Sequence, residues 1–502
     1  MFGLLKKGGL VTRRDTSLAF QSAVLTGARG IGFIISAATP IVMVRVFDLD
    51  GFGLYKQAFL VASTAIVFCN FGFNASIFYF VPRAKDDGQN YVIQALLSLT
   101  LLGAAGAGVL LIGREYIAGI MDEPALVGLL PIIALYVLLA IPGNSDASVP
   151  IVDQRPMLAA WIMAGTELLR ASALVAAAIV FGTVYALAWA ALGVAALRVG
   201  ILLTYLLARR ETESVPIRWE NWKKQIAYAV PFGVAIMFAQ GLQRGHQFFI
   251  AGTATTAEFA IYAIGVFQIP VIGTLVSSVA EVVIVQAASA YQRHDLVELR
   301  RLWVGALRPL VVLLVPIWAM CELVAPELIA VLFPNYLAAL PIFRVFLLAI
   351  VVHIILDNAI LRATGDTRFL VWANVLGFVA SIAALFLFTR VDLFLGAVWS
   401  YVLGLTVVRV VGLTKVASRL EIGILETLPW TTLGKAIGAS GASAAGGYLV
   451  MQLVGPDWLR LVLGCAAFTC FYTAFVWFFR FIPRDQIVNL VRRVSGGDRE
   501  KA

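Results

Sequence analysis

The chain has 502 residues, of which 61% are apolar and only 13% are charged, whereas ordinary soluble domains carry about 25% charged residues. A soluble enzyme, a disordered tail protein and a collagen-like fibre are excluded, because so few charges cannot cover the surface of a water-soluble chain of this length. The 38 lysines and arginines exceed the 29 aspartates and glutamates, which gives a net charge of +9. Such an excess fits either nucleic acid or a membrane-topology signal, and the positions of the cations decide between them.

Apolar segments long enough to cross a bilayer, which takes about 20 residues, recur fourteen times along the chain. They predict an all-α polytopic membrane protein with two six-helix halves in a pseudo-twofold arrangement and two further C-terminal helices. The predicted spans are 18–46, 54–80, 91–112, 125–145, 157–181, 183–207, 226–250, 257–290, 303–323, 338–361, 368–389, 393–416, 431–454 and 459–482. The predicted units are an N-terminal lobe (1–207), a cytoplasmic linker (208–225), a C-terminal lobe (226–420), an extra helix pair (421–482) and a cytoplasmic tail (483–502).

The basic residues alternate between the two ends of these predicted helices. With a cytoplasmic N-terminus, 26 lysines and arginines lie in or beside cytoplasmic segments and 3 beside outer loops. This asymmetry is the positive-inside signal, so both termini are expected in the cytoplasm and nucleic acid is not expected as a partner. In the linker, Trp219, Trp222, Lys223 and Lys224 predict an amphipathic portion lying at the membrane interface.

Cysteine and histidine show no pattern of a metal or redox site. The four cysteines lie in apolar runs without a CxxC pair, and the three histidines are scattered. We therefore expect no disulfide, metal, cofactor or catalytic residue. The chain also lacks a phosphate-binding GxxxxGK[ST] loop, so transport would be driven by an ion gradient, by the substrate gradient or by a partner.

A short internal repeat relates the two predicted halves. Phe52-Gly53-Leu54-Tyr55 opens the second helix and Phe259-Ala260-Ile261-Tyr262 opens the eighth, each after a short outer loop. Two six-helix halves have the same orientation and are related by an axis along the membrane normal, an arrangement of many alternating-access transporters. The substrate site is then expected between the halves.

Several loose motifs, in order over residues 20–400, resemble those of polysaccharide flippases in the multidrug/oligosaccharidyl-lipid/polysaccharide exporter superfamily. The motifs are Arg45–Tyr55, Phe71-Gly72 through Val81-Pro82-Arg83, Ala229-Val230-Pro231, Phe333–Tyr336 with Ala338-Ala339, and Arg362–Arg368. The resemblance implies a bacterial inner-membrane flippase for undecaprenyl-pyrophosphate-linked oligosaccharides, with helices 1, 2, 7 and 8 lining the cleft. One departure is His246, near the end of the seventh helix, where the family often has an acidic residue.

Charged residues inside predicted spans are candidate functional residues, since a charge at the bilayer centre costs at least about 2.5 kcal/mol. If helices 1, 2, 7 and 8 line the cleft, Arg29, Arg45, Lys56 and Arg244 converge on it. Guanidinium groups suit a pyrophosphate headgroup through bidentate hydrogen bonds. We expect Arg29 and Arg244 to bind the headgroup with Lys56 and Arg45 in support; the alternatives are snorkelling for Arg45 and Lys56 and structural pairing for Arg29 and Arg244.

Uncharged polar residues on the second and seventh helices predict a sugar-binding lining or helix–helix hydrogen bonds. The expected lining residues are Asn70, Asn74, Gln240, Gln243 and His246. Glu281, on the eighth helix, could take up a proton or Na⁺ to drive the cycle, or pair with an arginine.

Other buried charges are expected to have structural roles. Glu167 and Arg170 share a helix face and should form an ion pair. Arg198 and Arg409 are expected to reach the cytoplasmic headgroups, and Asp357, near a helix end, to be solvated or to line the cavity.

The function that these features favour is flipping of a lipid-linked oligosaccharide repeat unit for O-antigen, capsule or exopolysaccharide synthesis, by a monomer acting with a polymerase and glycosyltransferases. A small-molecule exporter of the same superfamily is the first alternative, although a cavity for cationic drugs should be acidic. A membrane glycosyltransferase or polymerase is the second, and the short outer loops argue against it. On helices 13 and 14 the sequence allows either a groove for the polyprenyl tail or a packing pair.

Overall fold

The computed structural model describes residues 27, 32, 35, 38–84, 88–208 and 218–479, except for the side chains of 270 and 271. All regular elements in this part of the chain are helices. We number the membrane-crossing helices α1 to α14, and use a and b for the two segments of an interrupted helix. In the first half these are α1 (described to residue 46), α2a Leu49–Asn70, α2b Phe73–Phe80, α3 Gly88–Ile112, α4a Leu126–Gly143, α4b Ser148–Val152, α5 Pro156–Phe181 and α6 Val184–Ala208.

The second half repeats this order. It comprises α7 Trp219–Ala251, α8a Thr256–Gly265, α8b Pro270–Gln292, α9 Leu296–Leu332, α10a Leu340–Val352, α10b Asp357–Ala363, α11 Thr367–Phe388, α12 Leu393–Leu420, α13 Trp430–Gln452 and α14 Asp457–Phe478. Shorter helical elements in the connections and within α2 and α10 are Val81–Arg83, Arg114–Ile120, Pro334–Ala339 and Ile424–Thr427.

Twelve spans in the described part are long and apolar enough to cross a membrane. Of the other two expected spans, α1 is described only in part, and α13 is rich in glycine, serine and threonine, which lowers its hydropathy. α13 nevertheless packs along α9 and α14. The predicted all-α polytopic membrane fold is confirmed, and the chain is a multi-pass membrane protein.

Three helices expected to be continuous, α2, α8 and α10, are interrupted, and α4 is followed by a short second segment beyond its expected end at residue 145. α2 breaks at Phe71 and Gly72, which both have positive φ (42° and 80°). α8, expected over 257–290, is irregular over 266–269, and its second segment begins with Pro270. Proline is favourable in a first turn, because the backbone N–H groups there have no acceptor within the helix. α4 and α10 break between 143 and 148 and between 352 and 357. The hydrophobic pattern does not reveal the breaks of α2, α8 and α10, because their residues are mostly apolar, whereas the α4 break is the polar run Asn144-Ser145-Asp146.

The end of the expected linker is part of a helix. α7 begins at Trp219 and not near residue 226, so its first turns contain Trp219, Trp222, Lys223 and Lys224. The Trp222 indole donates to Ser98 Oγ on α3 at 2.8 Å, and Tyr91 donates to Asn221 Oδ1 at 3.1 Å. The indole of Trp222 is thus bonded to the N-terminal lobe, and the interface-lying orientation of this segment stays a prediction; residues 209–217 lie outside the described part.

The two halves are related around the repeated tetrads. Asp48 caps α2a through a hydrogen bond from the Gly51 amide at 2.8 Å, and Thr255 caps α8a at the equivalent position. Phe52 and Phe259 are buried, as are Tyr55 and Tyr262. The two tetrads therefore begin equivalent helices, and α2a packs directly on α8a.

Candidate functional site

A polar column runs along one face of α2a at the contact between the lobes. Residues seven apart on a helix share a face, and Lys56, Ser63 and Asn70 are so spaced. Arg244 of α7 donates to Ser63 Oγ and, at 3.1 Å, to Thr64 Oγ1. The guanidinium is held on its own helix by Gln240 Oε1 at 3.0 Å. Arg244 thus joins the two lobes through neutral oxygens.

Arg244 and Lys56 have no carboxylate partner among the residues that the structure describes. Lys56 lies about 10 Å from Ser63 along the helix axis, and its ammonium lies 5.3 Å from the Phe52 ring centroid and 5.8 Å from that of Tyr55. Cations within about 6 Å of a ring are attracted by its π face. Both groups are partly buried, so the column offers positive charge that a bound anion would neutralise.

The lobes are in contact at the expected outer end, where α2a meets α8a. A Cβ added at Gly53 would lie 2.1 Å from the Thr256 carbonyl oxygen, so only glycine permits this approach. Thr256 also donates to Glu123 Oε2 at 2.5 Å across the lobes. At the other end, α8b packs mainly on α9 and α10b of its own lobe and is poorly buried. The contact between α2a and α8a therefore blocks access to the polar column from the expected outer end.

A cavity of about 210 Å³ lies within the C-terminal lobe, beside Gln243, the residue that precedes Arg244. It is lined by Gln243 of α7, Phe267 and Gln268 at the α8 break, His353 at the α10 break, and Tyr401 of α12. Irregular backbone at membrane depth is tolerated where it is buried in protein or lines a cavity. The breaks of α8 and α10 therefore create this space, which the continuous helix predicted over 257–290 could not.

His246 lies in the packed interior of the C-terminal lobe, with 2% of its surface exposed. Its Nδ1 is 2.6 Å from the Tyr262 hydroxyl, and its ring packs on Tyr401 with centroids 5.1 Å apart. The Nε2 atom has no hydrogen-bond partner among the described residues. Tyr401 thus links His246 to the cavity that Gln243 lines.

The other predicted site residues lie in different environments. Arg45 donates to the carbonyls of Ile41 and, across the lobes, Val331 at 3.1 Å. Asn74 follows the α2 break, so it does not extend the stripe of Asn70 on one helix as expected, and its Oδ1 is buried without a partner in the described part. Glu281 is exposed on α8b. Arg29 lies outside the described residues.

Two equivalent ion pairs hold the broken helices. Asp146, in the α4 break, accepts two hydrogen bonds from Arg198 of α6 at 2.8 Å each. Asp357, at the α10 break, accepts one from Arg409 of α12 at 2.5 Å. Each pair joins residues 52 positions apart. The expectation that Arg198 and Arg409 reach headgroups and that Asp357 is solvated is wrong, because both aspartates are fully buried and pair with these arginines.

The expected Glu167–Arg170 ion pair is confirmed, with an N–O distance of 2.8 Å. The two pairs at the helix breaks differ in how many of their polar atoms are hydrogen-bonded. Asp357 Oδ2 and Arg409 Nε have no hydrogen-bond partner in the described part of the chain. Sequence reasoning also missed Ser63 and Thr64, since hydroxyls in apolar helices usually bond their own backbone. The repeated spacing of 52 between an aspartate and an arginine was the available signal for the two ion pairs.

The first half of the chain matches a known protein family. Residues 19–252 match the family described as polysaccharide biosynthesis protein. A comparison with curated proteins found no match. The match covers most of the motifs of the N-terminal half on which the resemblance to polysaccharide flippases was based.

Solved structures of transporters share the fold. The lipid II flippase MurJ, in an inward closed conformation, has a TM-score of 0.72 at 11% identity, over 93% of this chain and 100% of that one. An inward-facing multidrug resistance MATE family transporter of the MOP superfamily has a TM-score of 0.57 at 16% identity, over 81% and 96%. A MOP superfamily transporter from Pyrococcus furiosus Vc1 (DSM3638) has 0.57 at 14%, over 80% and 96%. Together with the family match, this fold confirms the predicted resemblance.

Proposed function

We infer the function from two premises: the chain has the fold of MOP superfamily transporters, and its first half matches the polysaccharide biosynthesis proteins. The coarse conclusion is a membrane transporter of the lipid-linked flippase or MOP type. We propose the finer one, a flippase that moves undecaprenyl-pyrophosphate-linked oligosaccharide units across the bacterial inner membrane for surface polysaccharide synthesis.

The observation that carries this proposal is the Arg244 guanidinium, held by neutral oxygens of both lobes. A pyrophosphate carries two or more negative charges, and charge-assisted hydrogen bonds to guanidinium are about twice as strong as neutral ones. Lys56, farther along the same column, would bind the same headgroup. We retain Arg29 and Arg45 as supporting residues of this site, Arg45 acting at the outer rim where it bonds two carbonyls.

The polar groups around Arg244 would bind the sugar. Gln240 and Gln243 flank it on α7, Asn70 lies farther along the column on α2a, and Asn74 has an unpartnered carbonyl oxygen. His246 would act through Tyr401 at the wall of the cavity. The prenyl chain would remain in lipid, because the column is polar and narrow.

Transport would proceed by alternating access between the lobes. The contact of α2a with α8a closes the outer end, and the substrate would enter from the cytoplasmic end beside α8b. Exposed Glu281 on α8b is our candidate for ion coupling. In this proposal both termini are cytoplasmic, the protein acts as a monomer, and a polymerase and glycosyltransferases handle the same lipid intermediate.

Replacing Arg244 tests the headgroup site. Arg244→Ala removes hydrogen bonds to a charged group that are worth about 1.5–3 kcal/mol each, so flipping should fall at least about tenfold. Arg244→Lys should retain part of the activity, because it keeps the charge. Surface polysaccharide and accumulated lipid-linked intermediate are measured in a strain whose own copy is deleted.

The matched control is Arg301→Ala, which removes an arginine that is 82% exposed and paired with Glu298 on the same helix turn. Variant abundance in membranes is compared by immunoblot. Equal export by the Arg244→Ala and Arg301→Ala strains would refute the headgroup role.

A small-molecule exporter is the second candidate, favoured by the aromatic cavity beside Gln243. Phe267, Phe346 and Tyr401 line that cavity and would suit a flat apolar compound. The same deletion strain distinguishes the two functions: drug accumulation that rises without a change in polysaccharide would support the exporter.

A further inference from the structure

A second polar pocket lies apart from the interlobe column, at the expected outer end where α9, α10a, α13 and α14 meet. It has a volume of about 290 Å³, near the lower limit of small-ligand sites. Its wall includes two carboxylates and two guanidinium groups, from Glu322, Glu327, Arg344 and Arg460. Opposite charges at membrane depth usually pair closely, so their actual bonding is informative.

The four charges are incompletely neutralised within the described part of the chain. Arg344 Nε is 3.7 Å from Glu322 Oε2, which exceeds the length of a hydrogen bond. Glu327 Oε2 is buried without a hydrogen-bond partner among the described residues. Arg460 donates through Nε to the Val454 carbonyl at 2.8 Å, which fixes its guanidinium at the start of α14. A buried carboxylate oxygen without a donor costs free energy, and a bound donor would remove that cost.

The pocket borders the surface that faces lipid. Tyr448, in its wall, is 55% exposed, and Trp458, the second residue of α14, is 59% exposed. Tyrosine and tryptophan concentrate at the level of lipid headgroups. Leu449 and Leu453 on α13 are also exposed and offer apolar surface for acyl chains. The opening is therefore at headgroup level and accessible from the bilayer.

We propose that this pocket binds the headgroup of a phospholipid with a primary ammonium, the phosphatidylethanolamine class. Arg344 and Arg460 would bind the phosphate, and Glu327 and Glu322 would accept hydrogen bonds from the ammonium. The equal numbers of cations and anions select a zwitterion, because an anionic headgroup would leave both carboxylates unpaired. A sugar pyrophosphate also has no cation, so it would likewise leave both carboxylates unpaired.

Such a lipid would bridge α9 and α10a of the C-terminal lobe to α13 and α14. The helices pack closely beside the pocket: Gly447 of α13 lies against Leu323 of α9, and Gly464 of α14 lies against Met451 of α13. The bound lipid would hold the extra helix pair in place, independently of which substrate the transporter carries.

Native mass spectrometry of the full-length protein tests the proposal. The protein in detergent is mixed with equal amounts of phosphatidylethanolamine, phosphatidylcholine and phosphatidylglycerol that carry the same acyl chains. Phosphatidylcholine has a cation that cannot donate hydrogen bonds, and phosphatidylglycerol has no cation. We expect phosphatidylethanolamine to be retained at least about threefold over each of the other two, a modest ratio for one or two hydrogen bonds.

The near-isosteric variant Glu327→Gln should abolish this preference while retaining overall lipid binding, because the amide cannot neutralise the ammonium. Arg460→Gln should weaken retention of all three lipids, which share the phosphate. The control Glu298→Gln removes a half-buried glutamate at the opposite end of α9 and should leave the preference unchanged.

Two results would overturn the proposal. One is equal retention of the three lipids by the unmodified protein; the other is an unchanged preference in Glu327→Gln. Melting temperatures of all variants identify any that fail to fold, and in that case Glu322→Gln provides the same comparison. Because the measurement involves no polysaccharide substrate, its result is independent of the proposed flippase function.

Discussion

At the residue scale, the charges inside this protein divide into paired and unpaired groups. Asp146–Arg198 and Asp357–Arg409 are buried pairs that anchor equivalent helix breaks. Removing one member of a buried pair usually costs about 3–5 kcal/mol, since the remaining charge stays buried. Arg244 and Lys56 have no carboxylate partner in the described part, and this difference identifies them as ligand-binding candidates.

A pH-sensitive pair lies outside the membrane, in the turn between α10b and α11. Asp366 accepts hydrogen bonds from Arg419 at 2.6 Å and from Thr364 at 2.9 Å, and the Arg419 bond lowers the pKa of the Asp366 carboxyl below its usual 3.8. A lowered folded-state pKa stabilises the protein above the unfolded value, and this contribution is lost as the pH falls through the folded value.

We therefore expect Asp366→Asn to lower the melting temperature at neutral pH. The difference from the unmodified protein should shrink as the pH falls below about 3.8. Melting is followed in detergent across this range, with Asp50→Asn, which removes an exposed carboxylate, as control. A difference that is constant with pH would contradict the pairing.

At the scale of single helices, the interruptions position the site. Gly72, at the α2 break, has φ of 80° and faces α7: an added Cβ would lie 2.9 Å from the Ala229 carbonyl oxygen. Gly365 has nearly the same φ, 79°, but no atom within 4 Å of an added Cβ. Substitutions at the two glycines therefore distinguish the effect of the left-handed backbone conformation, which both share, from the effect of close packing, which only Gly72 has.

We expect Gly365→Ala to cost only the left-handed conformation, about 1–2 kcal/mol, and to preserve transport. Gly72→Ala should cost more, because it also separates α2 from α7 and displaces the column at Asn70. Melting temperature and polysaccharide export are compared for both variants. Equal effects would show that the contact with α7 is unimportant.

At the scale of the whole molecule, the lobes meet through α2a and α8a, the two helices that carry the repeated tetrads. Gln57 adds hydrogen bonds to the carbonyls of Met121 and Ala251, at 3.4 and 3.5 Å. If transport requires alternating access, this contact must open in every cycle. The contact combines these polar bonds with the close approach at Gly53 and the packing of Phe52 on Tyr336 of the other lobe, whose ring centroids are 5.6 Å apart.

Cross-linking the lobes tests this requirement. Glu123→Cys and Thr256→Cys place thiols at two side chains that now share a hydrogen bond, in a background without the four native cysteines. A short bis-thiosulfonate reagent should stop flipping in proteoliposomes, and reduction should restore it. The control pair Glu298→Cys and Arg301→Cys, on one helix turn, should remain active when cross-linked. Full activity of the linked 123–256 protein would rule out opening at this end.

The sequence by itself determined the fold class, the helical spans and the resemblance to polysaccharide flippases. Hydrophobic length and the alternation of basic residues are local properties of the chain, and the bilayer selects for them directly. It also singled out Arg244 and Lys56, since a charge in an apolar run is conspicuous.

Only the tertiary structure decided what each charge contacts. Arg198, Arg409 and Arg244 look alike in the sequence, as arginines within apolar helices, yet two pair with aspartates in helix breaks and the third is held by Ser63 and Thr64 of the other lobe. The breaks of α2, α8 and α10 lie in mostly apolar segments, so hydropathy does not reveal them. Partners for buried polar groups come from helices distant in the chain, so their identity depends on packing, which a linear pattern does not contain.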